Sequence, residues 1–444
     1  MPTPFPPTSI SAGRGPTLSP AAGFWLLGTA QIMLMAASSA PSPLYSEYAR
    51  QWGLSPASVT IVFAVYALGL LSALLVAGGL SDHLGRRPVL AAAILGEAAA
   101  MAVLLTARGE GQLVAGRALQ GLATGAALGA ISAGLIDLQR PGSRLGSLLN
   151  IAGTTVGLAA GALAGGALTQ YAPSPHIVLF SLLTVVSVAL AMAVLLVPET
   201  SPRRPGALAS LRPRVSVPQA DRKAFGTAVP SMIASWAIGG LYLSLGSSLT
   251  ADILHTGNHL VAGLVVALLP GAAAVACVLL RGLTPLRMML FGSTALAAGT
   301  ALTLPALLAP SMALLFAATA VAGSGFGTAF LGALRMLAQT AHDRRAQLFA
   351  SVYVVCYLAN SVPAVAAGLA VPAAGLRATA VGYAATVTAL ALLSVLLTTA
   401  ALRRAAQAPA APTPVVAAGP RAADSRSPAR ERASDAESPV PSDV

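Results

Sequence analysis

SVTIVFAVYALGLLSALLVAGGL–SDHLGRR–PVLAAAILGEAAAMAVLLTA, residues 58–107, is the stretch that decides the fold. Two apolar runs, 58–80 and 88–107, flank a seven-residue gap that includes Asp82, His83, Arg86 and Arg87. A bilayer core about 30 Å thick is crossed by roughly 20 apolar helical residues. Each run is long enough to cross once, and the charged residues between them must lie in water. Runs of the same kind recur at 22–42, 113–136, 145–169, 176–197, 226–249, 258–280, 285–306, 311–336, 347–371 and 377–401, which makes twelve. Over all 444 residues 56% are apolar and only 9% charged, whereas soluble domains carry about 25% charged residues. A soluble globular enzyme is excluded. The chain is an all-α polytopic membrane protein.

The net charge of +12 does not indicate nucleic acid, because the basic residues sit in short gaps and polar tails with no aromatic interleaving. With an intracellular N-terminus and alternating spans, the 26 Lys and Arg divide into 22 inside (counting Arg287 and Arg335 at the inner ends of their spans), three outside (Arg50, Arg108, Arg377) and one, Arg117, deeper within a span. That bias predicts two cytoplasmic termini in a cell-membrane protein. Ala37-Ser-Ser-Ala40 after the first run resembles a cleavage site, but the eleven further spans favour an uncleaved anchor.

The 28-residue polar segment 198–225 divides the spans six and six. It predicts a bundle over 22–197, a cytoplasmic linker, and a second bundle over 226–402. Residues 1–21 and 403–444, rich in Pro, Ala and Ser, are expected to be disordered. An offset of 202 residues aligns Arg117–Gly125 with Thr319–Gly327, and Gly69 with Gly271. Six plus six around a midplane site is how many transporters are built, so the bundles are expected to be pseudo-symmetric.

Three motifs carry the chemistry. Gly78-Gly-Leu-Ser-Asp82-His-Leu-Gly85-Arg86-Arg87 resembles the G-x-L-a-D-x-x-G-R-R/K signature of the major facilitator superfamily, at the loop where that family carries it. In itself Gly78 allows close helix approach, Gly85 a tight turn, and Asp82 can accept from a helix N-terminus. The resemblance implies a conformational latch whose ion pairs join the two bundles, with Asp137 suited as partner to Arg86. Arg117-Ala-Leu-Gln120-Gly121 resembles the R-x-x-Q-G motif of the same family. An arginine there costs several kcal/mol unless it faces a cavity or a partner, or else snorkels to the interface. Gly153, Gly157, Gly161, Gly165 and Gly166 form a small-residue ladder for close packing. From Gly157 onward the ladder resembles the family's G-x-x-x-G-P-x-x-G-G antiporter motif, with Ala162 where the motif has proline.

Glu97 is the clear acid deep in a span, where it must be protonated or paired with Arg117. It is a candidate proton carrier or a neutral structural carboxyl. Tyr353, Tyr357 and Asn360 share one face of the eleventh span. Ser231, Ser235 and Tyr242 share a face of the seventh, beside Trp236. With Gln31 and Gln120 these are the candidate cavity residues, aromatics and amides of the kind that orient a ligand in an apolar pocket. The scarcity of buried acid favours neutral, lipophilic or anionic substrates over cations. Cys277 and Cys356 lie within apolar runs, and the five histidines lack ligand spacing, so no metal is expected.

No phosphate loop, nucleophile constellation or cofactor fingerprint is present, so the chain is not expected to be an enzyme or to need a cofactor. The resemblance implies a monomeric drug:proton antiporter exchanging protons for a small molecule across the bilayer. Uptake or facilitated transport of a sugar or organic acid remains the alternative, and a non-transporting receptor a third class.

Overall fold

The computed structural model describes residues 17–143, 145–213, 215–308, 311–340 and 345–407. Among the described residues twelve helices are long and apolar enough to cross a membrane. In chain order they are α1 Pro20–Ser39, α2 Pro56–Ala77, α3 Arg86–Leu105, α4 Glu110–Leu138, α5 Leu145–Tyr171 and α6 Pro175–Val194. The second six are α7 Arg222–Leu254, α8 His259–Leu279, α9 Pro285–Leu308, α10 Met312–Thr340, α11 Arg345–Ala374 and α12 Leu376–Gln407.

Local chemistry sets the starts. Pro20, Pro56 and Pro175 occupy the first turn, where the missing N–H costs nothing. Ser19, Ser55 and Asn258 accept from the opening N–H groups of α1, α2 and α8. The first run stops as helix at Ser39, three residues short of the expected end. Pro41 and Pro43 follow, within a 3₁₀ turn region that leads to the short helix Tyr45–Trp52. α9 passes through Pro305 and α7, α8 and α11 also carry interior prolines, which neighbouring helices permit in a membrane. α12 continues through Gln407, beyond the boundary expected at 402. The remainder of the two terminal segments, 1–16 and 408–444, lies outside the described residues.

Helix neighbours repeat after a shift of six. α2 packs on α4 as α8 does on α10, α3 on α4 as α9 on α10, and α1 on α5 as α7 on α11. Across the bundles α2 packs on α11 and α5 on α8, the same pairing read from either half. The 202-residue offset is spatially real for α4 and α10. Gly121 lies against Tyr66 and Leu70 of α2, and Gly323 against Leu269 and Ala272 of α8. The match of Gly69 with Gly271 is not: Gly69 faces α4, whereas Gly271 faces Ala159 of α5.

The glycine ladder makes two contacts. Side chains at Gly157, Gly161 and Gly165 would collide with the carbonyls of Ile32, Ala36 and Ala40 in and just after α1, and Gly153 lies over Gln31. Gly166 turns to the other bundle, where a Cβ would come within 2.9 Å of Gly263 Cα in α8. At this end, opposite the basic loops, hydrogen bonds also join the bundles. Ser42 Oγ donates to Leu243 O at 2.8 Å, Ser247 Oγ to Ser42 O at 3.2 Å, and His259 N to Gln170 Oε1 at 2.9 Å.

Gly161→Val is expected to cost about 1–3 kcal/mol by overpacking. Thermal unfolding of the purified protein should show a lowered midpoint. Gly382→Val, where nothing lies within 4 Å of the added carbon, should leave it nearly unchanged.

Candidate functional site

Arg117, Gln120 and Thr124 follow at i, i+3 and i+7 on α4, so they share one face. That face meets Glu97 on α3 and the end of α1. Gln120 Nε2 donates to Glu97 Oε1 at 2.9 Å and to Ala37 O at 3.1 Å. Thr124 Oγ1 donates to Glu97 Oε2 at 3.0 Å. Arg117 donates to Gln120 Oε1 and, at 3.2 Å, to Ser38 O. Its guanidinium carbon lies 4.2 Å from the centre of the Tyr66 ring, within cation–π range. Arg117 is 1% exposed and Glu97 fully buried, so Arg117 does not snorkel.

The direct Glu97–Arg117 pairing is not what forms. The two are joined through the Gln120 amide, which accepts from the cation and donates to the acid. Thr124, Tyr66 and Tyr45, whose buried hydroxyl has no partner among the described residues, complete the surroundings. Thr124 could have been found from its spacing to Arg117. Tyr66, on another helix, could not.

Tyr66 leads to the second bundle. It clusters with Tyr357 of α11, whose ring is 4.8 Å from Trp236, and Trp236 meets Phe330 edge-on at 5.5 Å. Among the described residues the indole Nε1 of Trp236 and Oγ of Ser235 are buried without partners. Tyr353 lies one turn below Tyr357 and lines a cavity at the basic end. Asn360 presses its backbone against Gly240 of α7. Thus Trp236, Tyr357 and Tyr353 come together. Tyr242 does not join them: its hydroxyl meets Thr319 Oγ1 at 2.9 Å, inside the second bundle. Ser231 also turns to α10, donating to Ala329 O. The seventh-span face therefore splits between α10 and the bundle interface. Gln31 donates to Thr154 of α5 at 2.9 Å, leaving its Oε1 unpartnered.

The α2–α3 loop is held within the first bundle. Arg86 pairs with Asp82 and, through Nε at 3.3 Å, with Asp137. Gly78 stands at the end of α2. Gly85 takes a φ of 99°, a region open to glycine. That turn presents the N-terminus of α3 to Glu199, which accepts the N–H groups of Arg86 at 2.7 Å and Arg87 at 3.1 Å. The helix-terminal acceptor expected of Asp82 is therefore Glu199, which sequence spacing gave no means of finding. Thr200 Oγ1 also donates to Asp137, at 2.9 Å. The ion pairs of this loop are intra-bundle, so no ion pair of Asp82, Arg86 or Asp137 joins the bundles among the described residues.

The sequence profile of the Major Facilitator Superfamily matches residues 27–362. The chain belongs to that superfamily. It is 38% identical over 118 residues to a class C tetracycline resistance protein of Escherichia coli, covering 26% of this chain and 29% of the relative. It is 32% identical over 169 residues to the puromycin resistance protein pur8 of Streptomyces alboniger, covering 37% and 33%. The chain thus matches about a third or less of the length of these relatives. Solved structures share the fold. A bacterial homologue of the human lysosomal transporter Spinster aligns with TM-score 0.69 at 14% identity, over 88% of this chain and 99% of that one. The nucleoside transporter NupG aligns with TM-score 0.67 at 13% identity, over 85% and 100%. The human organic anion transporter MFSD10 aligns with TM-score 0.62 at 17% identity, over 86% and 100%. The protein is a multi-pass membrane protein of this superfamily.

Gln120→Leu should strand a buried acid and a buried cation together, at about 1–3 kcal/mol for each unmet group. The expected readout is a lower unfolding midpoint in detergent than that of Gln112→Leu, at an exposed site.

Proposed function

We propose that this transporter expels small lipophilic, neutral or anionic compounds from the cell in exchange for protons, by alternating access. The observation that carries the reading is the Arg117–Gln120–Glu97 chain, a buried acid tied by hydrogen bonds to the part of α1 that leads into the bundle contact. The short, partial similarity to tetracycline and puromycin resistance proteins supports the direction of flux. The arginine bias supports cytoplasmic termini in the cell membrane, with the basic loops inside. The transporting unit is a monomer, whose two bundles enclose the substrate path between them.

The chemistry follows from which groups are held. With Glu97 ionised, Gln120 and Thr124 give it charge-assisted hydrogen bonds, stronger than neutral ones. Gln120 and Arg117 at the same time grip Ala37 O and Ser38 O at the end of α1. Four residues on, Ser42 contacts Leu243 and Ser247 of α7. A proton on Glu97 weakens the first bonds, frees Gln120, and loosens the α1 end that closes the side opposite the basic loops. Substrate binding against Trp236, Tyr357 and Tyr353 shifts the same two-state balance from the second bundle. Asp82, Arg86, Arg87 and Asp137 keep the α2–α3 loop shaped for the latch that forms when the basic end closes.

The test uses purified protein in liposomes loaded with a pH-sensitive dye. A proton gradient is imposed, and lipophilic drugs, sugars and organic acids are added one at a time. Proton movement triggered by one class of drug, lost in Glu97→Gln and Asp82→Asn proteins that insert normally, is the expected result. Saturable metabolite uptake with no proton movement would replace antiport with facilitated transport and make Glu97 structural.

A further inference from the structure

A cavity of about 440 Å³ opens at the basic end between the close of α2, the linker segment after Ala207–Ser210, and the start of α11. Its size is in the range of small-molecule pockets. Leu74 and Leu75 form one wall, Phe349 and Tyr353 the other, and Arg212 and Arg345 stand among the lining residues. The described lining contains two guanidinium groups and no carboxylate. Neither arginine forms an ion pair among the described residues. The Arg345 guanidinium carbon lies 5.4 Å from the Phe349 ring centre, which leaves its N–H groups free to bind an anion while the ring steadies its plane. Two unneutralised cations over a partly apolar cleft raise the local concentration of anions and repel cations. Guanidinium groups also match carboxylates bidentately.

We propose that this cavity is a binding site for a small anionic amphiphile, whose charged head meets Arg212 and Arg345 while its apolar body lies between Leu74/Leu75 and Phe349/Tyr353. The same chemistry is offered by a free aromatic carboxylate and by an anionic lipid. The site rests on the transport reading in sharing Tyr353 with the substrate wall proposed there, and deepens it by naming the class of occupant at the mouth.

The experiment measures equilibrium binding of radiolabelled naphthoate to full-length protein in zwitterionic nanodiscs, with naphthylmethylamine as the matched cation. No gradient is present, so a failure of proton coupling would leave the outcome intact, and a failure here would not touch the antiport reading. Saturable naphthoate binding, about tenfold or more tighter than that of the amine, is expected. Arg212→Gln/Arg345→Gln should lose about tenfold or more of the naphthoate affinity, and Arg212→Lys/Arg345→Lys, which keeps both charges, should lose less. An unfolding midpoint matching the wild type verifies that each variant is folded. Equal binding of the two probes, or unchanged affinity in the glutamine variant, would overturn the proposal. Repeating the titration in phosphatidylglycerol nanodiscs distinguishes the sources. Competition there assigns the site to lipid headgroups, and undiminished affinity assigns it to the solute.

Discussion

An arginine and a glutamate buried in the same membrane-spanning bundle constrain everything near them. Neither charge can be left unpaired in hydrocarbon, yet Arg117 and Glu97 do not touch. The Gln120 amide resolves this by facing both, its carbonyl to the cation and its N–H groups to the acid and to Ala37 O. Because Arg117 also holds Ser38 O, satisfying the charges fixes the end of α1 against α4. The backbone of α1 then has one register in which the glycine ladder of α5 can pack, since Gly157, Gly161 and Gly165 fit only where its carbonyls pass. Polar satisfaction and close packing thereby specify the same helix arrangement.

That arrangement makes the two ends of the molecule unlike. At the end away from the basic loops, small residues bring the bundles into backbone contact, as at Gly166 and Gly263. Ser42 and Gln170 add hydrogen bonds across the seam. At the basic end the ion pairs of Arg86 stay within the first bundle, and a cavity separates α2 and the linker from α11. A pair of bundles closed at one end and open at the other is one member of the two-state system that alternating access needs. The contacts of α2 with α11 and of α5 with α8 are the equivalent pairings across the seam, read from either half.

Span number and helix class were legible because twenty apolar residues in a row have few alternatives in water or lipid. The α2–α3 turn was legible for a related reason: Gly85 and the charged residues around it are confined to seven positions between two such runs. Pairings within one helix, such as Gln120 with Arg117, follow from spacing alone. Partners on different helices do not. Tyr66 under Arg117 and Glu199 at the start of α3 depend on how segments 50 or more residues apart in sequence meet; for helices such as α2 and α4, apolar periodicity in a membrane fixes rotation weakly because lipid and core are equally apolar. The same weakness explains Tyr242, whose face of α7 carries polar groups toward α10 as well as toward the other bundle.

The most direct test of the account is whether Glu97 changes protonation when the transporter works. Infrared difference spectra of reconstituted protein, stepped between mildly alkaline and mildly acidic buffer, report protonated carboxyl groups by their C=O stretch. The account predicts a band from a buried carboxylic acid that appears on acidification, disappears in Glu97→Gln, and shifts in Gln120→Leu as its hydrogen-bond donor is lost. A wild-type spectrum with no such band, or one that Glu97→Gln leaves unchanged, would contradict it.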